Sequence, residues 1–280
     1  MRLGDDFSRV VILGDVHGRA DLLRQALAAT SLYDNGLWTG GRTLLLQAGD
    51  LIDRGPRGLE CMDLFMSLSD QARQAGGLAV SVLGNHELMA LSSASGDPMA
   101  RAMWSRNGCQ ALFSEYRERC RLRGEAAEPE SFYEMFSPSG PYGQWMLGRP
   151  ALVKTPEFIL THAGLTLEAE WERLLAEIDE TLEALPDTGY RLTELRDPLF
   201  GRDGPFWTRQ LDPQAVEAVC RREGVKFQVI GHTPGFGASG RVLNVDAGMV
   251  YFGIWRAAAW EDGRWWVYGE GSEPSPLGWD

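Results

Sequence analysis

The 280-residue chain contains four histidines, and each stands just beyond a short apolar run. Val10–Leu13 leads into Gly14-Asp15-Val16-His17-Gly18, and Leu78–Leu83 into Gly84-Asn85-His86-Glu87. Phe158–Leu160 leads into Thr161-His162-Ala163-Gly164, and Phe227–Ile230 into Gly231-His232-Thr233. Two further runs end in acidic turns: Thr43–Ala48 before Gly49-Asp50-Leu51-Ile52-Asp53-Arg54-Gly55-Pro56, and Val242–Val245 before Asp246-Ala247-Gly248. A Gly-Asp pair after a strand is often only a turn, and a lone histidine is more often structural than a ligand. A series of such motifs that uses every histidine in the chain, with none left in the long helical stretches, is not explained that way.

Asp, His and Asn offer hard oxygen and borderline nitrogen donors without sulfur. That set suits Mn, Fe or Zn and not a thiolate site. The count fits two ions: Asp15 and His17 at one, Asn85, His162 and His232 at the other, with Asp50 placed to bridge. Two such ions, roughly 3.5–4 Å apart, activate a water and stabilise both oxygens of an in-line displacement. A covalent route is disfavoured, because no histidine remains to activate a Ser or Cys.

These groups must be positioned by the runs that precede them. All six runs are short, rich in Val, Ile and Leu, and bounded by turn residues, as expected of buried strands. Between the early ones, Arg19–Thr30 and Leu59–Gln74 carry apolar stripes at helical spacing. The alternation predicts an α/β fold with covered sheets, whose ligand groups converge beyond the carboxyl ends of the strands. Residues 97–150 (helices with a Pro/Gly-rich exit) and 166–200 (an amphipathic helix around Leu167–Leu185) read as insertions beside the sheet. The whole of 1–280 is therefore expected to be a single catalytic domain. Met249–Tyr268 is aromatic and β-prone, with a hairpin turn at Glu261-Asp262-Gly263-Arg264. Its tryptophans are expected mainly to pack against the core.

Lys plus Arg number 27 and Asp plus Glu 39, a formal charge of −12. That balance disfavours a nucleic-acid polymer as partner, while a compact phosphorylated substrate needs only a local positive well. The acidic N-terminus does not read as a secretory signal, and no apolar run is long enough to span a bilayer. The four scattered cysteines read as reduced and buried. Together these predict a cytoplasmic protein with no membrane partner, of unspecified oligomeric state.

The ordered set GDVHG, GDLIDRGP, GNHE, THAG and GHT resembles the calcineurin-like metallophosphoesterases, and among them the PPP-type phosphatases. The resemblance runs from about residue 10 to 250. It implies a β-sandwich flanked by helices, so two sheets instead of one, with a C-terminal β-rich segment. It also implies Asp15, His17 and Asp50 at the first metal, and Asp50, Asn85, His162 and His232 at the second, Mn being the expected ion. His86 is implied as the general acid, Asp53 as the carboxylate that orients it, and Arg54 as a phosphate-holding arginine. Gly204-Pro205-Phe206-Trp207-Thr208-Arg209 resembles the GPxWxR run of the Shewanella-like protein phosphatases, which implies a second phosphate arginine at Arg209. HAG in place of HGG, and the lack of a SAPNY segment, point to the same bacterial-type branch. Asp246 lies in a run like the family's closing (I/L/V)-D-(S/T)-G, either beside the site or as a plain turn residue. Arg106, in Trp104-Ser105-Arg106-Asn107-Gly108, is either an extra phosphate contact or an exposed helix arginine.

The implied activity is phosphomonoester hydrolysis, on a phosphoprotein or a small phosphomonoester, by a metal-bridging hydroxide with His86 protonating the leaving oxygen. A diadenosine-polyphosphate hydrolase is the nearest alternative. Those enzymes commonly read GNHD and lack the Asp at position 53, so Glu87 and Asp53 favour the phosphatase. A non-catalytic scaffold would be expected to have lost ligands, and no motif ligand is missing.

Overall fold

The computed structural model describes residues 1–4, 7–166, 171–188 and 200–279. The chain opens with β1 (Arg9–Leu13), α1 (Ala20–Ala29), a small hairpin of β2 (Tyr33–Asp34) and β3 (Leu37–Trp38), β4 (Thr43–Gln47), α2 (Gly58–Gln74) and β5 (Leu78–Ser81). Five helices come next: α3 (Asn85–Ser93), α4 (Pro98–Arg106), α5 (Cys109–Arg123), α6 (Pro129–Glu134) and α7 (Pro141–Leu147). Then come β6 (Val153–Lys154), β7 (Phe158–Leu160), α8 (Trp171–Thr188), α9 (Pro213–Glu223), β8 (Phe227–Ile230), β9 (Gly237–Ser239) and β10 (Val242–Asn244). The described chain closes with α10 (Met249–Phe252), β11 (Arg256–Glu261), β12 (Arg264–Gly269) and β13 (Ser275–Pro276).

The strands form two main sheets. One has the order β13-β12-β11-β1-β4-β5, the other β6-β7-β8-β10-β9. Within the first, β1, β4 and β5 are parallel; within the second, β7, β8 and β10 are parallel. The two-residue period explains how they stack. Ile12, Leu44, Leu46 and Val80 face Phe158, Leu160, Phe227, Val229 and Leu243 in a closed apolar layer between the sheets. The alternate residues Val11, Leu13, Leu45 and Ala79 face outward, onto a second cluster built with α1, α2 and the later helices. This is the sandwich flanked by helices that the resemblance implied.

All six predicted strands are present, each reaching the predicted residues within a position or two at its carboxyl end. The last predicted residues, such as Ala48 and Val245, leave the ladder to begin the turns that carry the ligands. The segment 97–150 is helical as expected, and its buried Trp104, Leu112, Phe132, Phe136 and Met146 belong to the same outer cluster. The predicted helix of the second insertion is α8, which buries Leu174, Ile178, Leu182 and Leu185. Residues 167–170 and 189–199 of that insertion lie outside the described residues.

The C-terminal hairpin turns at Asp262 and Gly263, both in the left-handed region. Met249–Phe252, predicted as part of a β segment, instead forms the single helical turn α10 between two left-handed glycines, Gly248 and Gly253. Trp255 is buried, and Trp265 packs edge-on against Phe158 and Phe227. All four cysteines are free and buried. Among the described residues no helix is long and apolar enough to cross a membrane.

Candidate metal centre

Because the inner strands of both sheets run parallel, their carboxyl ends open onto one edge of the sandwich. Asp15 follows β1, Asp50 follows β4 and Asn85 and His86 follow β5; His162 follows β7, His232 follows β8 and Asp246 follows β10. All seven side chains are buried. The structure thus brings together every predicted ligand from strand ends up to 217 positions apart, the separation of the bonded pair Asp15 and His232.

At the centre is one oxygen, Asp50 Oδ2. It lies 3.4 Å from His17 Nε2, 3.4 Å from His162 Nε2 and 3.9 Å from His86 Nε2. The ligand atoms gather into two buried groups that share it, His17–Asp50–His86 and Asp50–His162–His232. Asn85 Oδ1 completes the second, 2.9 Å from His162 Nε2 and 3.1 Å from His232 Nδ1. Asp15 Oδ2 stands slightly outside the first group, 3.8 Å from His17 Nε2, while His86 stands inside it.

The histidines are held in ligand-ready orientations. His17 Nδ1 faces the Ile52 carbonyl at 2.9 Å and His162 Nδ1 faces that of Ala48 at 2.7 Å. A proton held on Nδ1 by a carbonyl leaves Nε2 bare for a metal. His232 turns Nδ1 to its ligand group, 3.1 Å from His162 Nε2, and His86 Nε2 is buried without a hydrogen-bond partner. A buried nitrogen of that kind is costly unless something else satisfies it. The pocket's field also favours cations. Although burial disfavours its charged form, the Asp50 and Asp15 carboxylates raise the pKa of His162 to about 10. Two carboxylates, an amide oxygen and imidazoles in two groups around a shared oxygen fit a pair of divalent ions.

The backbone is shaped to the same end. His17, Asp50 and His232 have φ of 45°, 60° and 67°, and Asp53 and Arg54 follow at 69° and 64°. Such left-handed non-glycine residues cost free energy and concentrate at functional sites. Gly84 and Gly231 let the backbone approach the carboxylates: a Cβ on Gly84 would strike Asp50, and one on Gly231 would strike Asp15 Oδ1.

Beside the two groups, His86 Nδ1 lies 2.7 Å from Asp53 Oδ2. Burial, opposed by the field of Asp50, lowers the pKa of His86 to about 4. Arg54 places its guanidinium against His17 Nε2 and over the ring of Tyr251, 5.5 Å from its centroid. Arg209 is exposed, and its Nη1 donates to Thr233 Oγ1 at 3.2 Å, next to His232. Its run docks on the His162 loop through the Ala163 N–H, which donates to the Pro205 carbonyl at 2.7 Å. Asp246 is buried and its Oδ1 accepts the Gly248 N–H at 2.7 Å. Burial raises Asp15 well above the usual carboxylate range, and the neighbouring Asp246 adds to it. Arg106 is exposed at the end of α4, while Gly108, two residues on, accepts the Arg54 N–H at 3.1 Å.

Four residues have positions that the motifs alone do not reveal. The Glu87 carboxylate accepts the N–H groups of Asp50, Leu51 and Gly84 at 2.8, 2.9 and 2.9 Å. Trp104 Nε1 donates to Asp53 Oδ2 at 2.6 Å. Gln47, buried in β4, bonds Gly14 and Gly49, the residues just before Asp15 and Asp50. Gln228, buried in β8, bonds both backbone groups of Leu165 beyond His162. The signal for the two glutamines is an amide inside an otherwise apolar strand, which must find partners when buried.

Residues 8–236 match the calcineurin-like phosphoesterases. The chain belongs to that family. An uncharacterised protein of Schizosaccharomyces pombe is 28% identical over 260 residues, 86% of this chain and 73% of the relative. Shewanella-like protein phosphatase 2 of Arabidopsis thaliana is 39% identical over 82 residues, 29% of this chain and 21% of its own length. A symmetrical bis(5'-nucleosyl)-tetraphosphatase of Vibrio cholerae is 31% identical over 161 residues, 58% of this chain. The chain spans 45% of that relative, so it covers less than half of either functionally named one. A cold-active protein-tyrosine phosphatase of a psychrophilic Shewanella has the same fold, with a TM-score of 0.79 at 22% identity, covering 99% of this chain and 82% of its own. Family and geometry together make this a metal-dependent phosphoesterase centre with two divalent-metal sites.

Proposed function

We propose that the protein is a metal-dependent phosphatase that hydrolyses phosphomonoesters of proteins, with Mn as the preferred ion. The observation that carries this reading is Asp50 Oδ2, equidistant at 3.4 Å from a histidine of each ligand group. Asp15, His17 and Asp50 would hold one ion, and Asp50, Asn85, His162 and His232 the other. Two ions so held supply a water activated for attack and neutralise the phosphoryl oxygens.

The chain's own residues do the rest. Arg54, whose guanidinium meets His17, and Arg209, which donates to Thr233 beside His232, would orient the phosphoryl oxygens through charge-assisted hydrogen bonds. Asp53 holds His86 by Nδ1, which aims Nε2 toward Asp50 and the reacting group. The negative phosphoryl group bound beside Nε2 opposes the burial that lowers the imidazole's pKa and so favours the imidazolium; as water adds to phosphorus, the ester P–O bond breaks and the leaving oxygen takes the Nε2 proton. The proton lost by the water restores the imidazolium, so the products are an alcohol and inorganic phosphate. Asp246 and Arg106 are assigned supporting parts: Asp246 sets the charge at Asp15, and Arg106 offers a cation to the flank of a bound phosphopeptide.

A second reading is dinucleoside-polyphosphate hydrolysis, which the similarity to the Vibrio tetraphosphatase favours. Asp53 bonded to His86 and Glu87 bonded to the Asp50 turn support the phosphatase. The test is a panel of phosphoserine, phosphothreonine and phosphotyrosine peptides against diadenosine tetraphosphate, with each metal added to stripped protein. Phosphopeptide turnover at least tenfold higher, greatest with Mn, is expected; preferential cleavage of the dinucleotide overturns the proposal.

A further inference from the structure

We propose that Trp104 is a positioning residue for His86: its indole N–H fixes the Asp53 carboxylate that in turn orients the imidazole. This rests on the reading of His86 as general acid. Asp53 Oδ2 accepts two hydrogen bonds, from His86 Nδ1 at 2.7 Å and from Trp104 Nε1 at 2.6 Å. The other oxygen, Oδ1, is buried without a hydrogen-bond partner. The direction in which this carboxylate points is therefore set by the two donors on Oδ2, and only one of them is independent of the histidine being oriented.

Trp104 is built to hold that position. It is fully buried, stacked on Phe132 with centroids 5.4 Å apart and edge-on to Phe136 at 5.2 Å. Its helix is capped by Asp97, which accepts the Met99 N–H at 2.9 Å, and starts with Pro98. An indole placed only for packing would leave an N–H to be satisfied anywhere nearby. Here that donor meets the one carboxylate that also holds His86, at 2.6 Å. The Asp53 backbone is itself in the left-handed region, so this side chain starts from a constrained place. The helices of residues 97–147 thus do more than wall the site: through one bond they fix the angle at which His86 presents Nε2.

In the step concerned, Nε2 gives its proton to the leaving oxygen as the P–O bond breaks, and Nδ1 keeps its proton on Asp53. Misalignment penalises poor leaving groups, which need that proton, more than good ones. The experiment measures kcat and KM of the Mn-loaded protein on phenyl phosphates, from 4-nitrophenyl to unsubstituted phenyl. Trp104→Phe is expected to lose about tenfold or more additional kcat on phenyl phosphate than on 4-nitrophenyl phosphate. Metal content and KM should stay near those of the parent protein. Benzothienylalanine at position 104, with sulfur in place of the N–H at nearly constant shape, should do the same even if Trp104→Phe folds poorly. Phe136→Leu, which loosens the packing of Trp104 and leaves its bond, should keep the parent dependence on leaving group. His86→Asn is the reference and should show the steepest dependence. Trp104 variants with the parent dependence beside a steep His86→Asn overturn the proposal. A His86→Asn with the parent dependence overturns the general-acid reading instead.

Discussion

Glu87 holds the turn of Asp50 by its backbone: Oε2 accepts the Asp50 N–H at 2.8 Å, and Oε1 the Leu51 N–H at 2.9 Å. Glu87 also caps its own helix through Gly84 and is fully buried, and burial pushes its pKa up to about 7. A residue that does not face the ions therefore sets where the shared oxygen stands. Glu87→Gln keeps the shape but turns an amide N–H toward one of these donors. Metal affinity is expected to fall about 10–100-fold, as for other groups that orient ligands. Titration of stripped protein with Mn, followed by electron paramagnetic resonance, measures it; an unchanged affinity refutes the role.

The shared oxygen makes a sharper prediction about stoichiometry. Asp50 belongs to both ligand groups, whereas His17 belongs to one. After extensive dialysis Asp50→Asn should lose both ions, while His17→Ala should keep one. Elemental analysis of the two variants decides it, and full metal content in Asp50→Asn would contradict the bridging assignment.

Gln47 satisfies the Gly14 and Gly49 carbonyls and the Gly49 N–H, and accepts the Ser81 hydroxyl. In Gln47→Leu these buried groups lose their partner together. Ser81 keeps the Val82 carbonyl as acceptor, so three groups are left unsatisfied and the cost is at least about 3 kcal/mol, given about 1–3 kcal/mol for each. That lowers Tm by roughly 6–12 °C for a chain of this size. Calorimetry of the metal-free protein isolates this from any loss of ions. A shift below a degree or two would mean the loops hold themselves.

Lys154 Nζ donates to Glu223 Oε2 at 2.9 Å, tying β6 to the end of α9, with Arg222 on the same carboxylate. Burial raises the pKa of Glu223, but these two cations outweigh it and leave it lowered. A lowered carboxyl pKa stabilises the fold above its unfolded value, near 4.3, and that share is lost as pH falls through the folded value. Lys154→Met should therefore cost about 0.5–1 kcal/mol at pH 7 and progressively less below pH 4. Urea denaturation at both pH values tests the sign; an equal cost at each would make Lys154 a packing residue.

Much of the centre is legible in the sequence because strand geometry converts linear order into convergence. Parallel strands end on one edge, so the turns beyond the apolar runs must meet there. The division into two sheets is less legible. Leu44, Leu45 and Leu46 are buried on both faces of β4, so alternation cannot tell the inter-sheet side from the helix side. Trp104, Gln47 and Gln228 escape for another reason: their importance lies in hydrogen bonds to atoms distant in sequence, and a side-chain donor carries no address. Glu87 is conspicuous in its motif, yet three backbone N–H groups as its partners are visible only in three dimensions. The α10 turn is hidden because aromatic, β-prone residues between two glycines obey the backbone those glycines allow.

The sandwich itself acquires a second meaning from the way the ligands divide. Asp15, His17, Asp50 and Asn85 come from the sheet built on β1, β4 and β5, while His162 and His232 come from the sheet of β7 and β8. The ion between Asp50 and the two histidines would be a clasp across the mouth of the two layers. Ligation to the native state alone raises stability with ion concentration, so metal would add to the bonds that already cross that edge, the His232 N–H to Asp15 Oδ1 at 2.9 Å and His162 Nδ1 to the Ala48 carbonyl at 2.7 Å. Catalytic competence and part of the fold's closure would then draw on the same atoms.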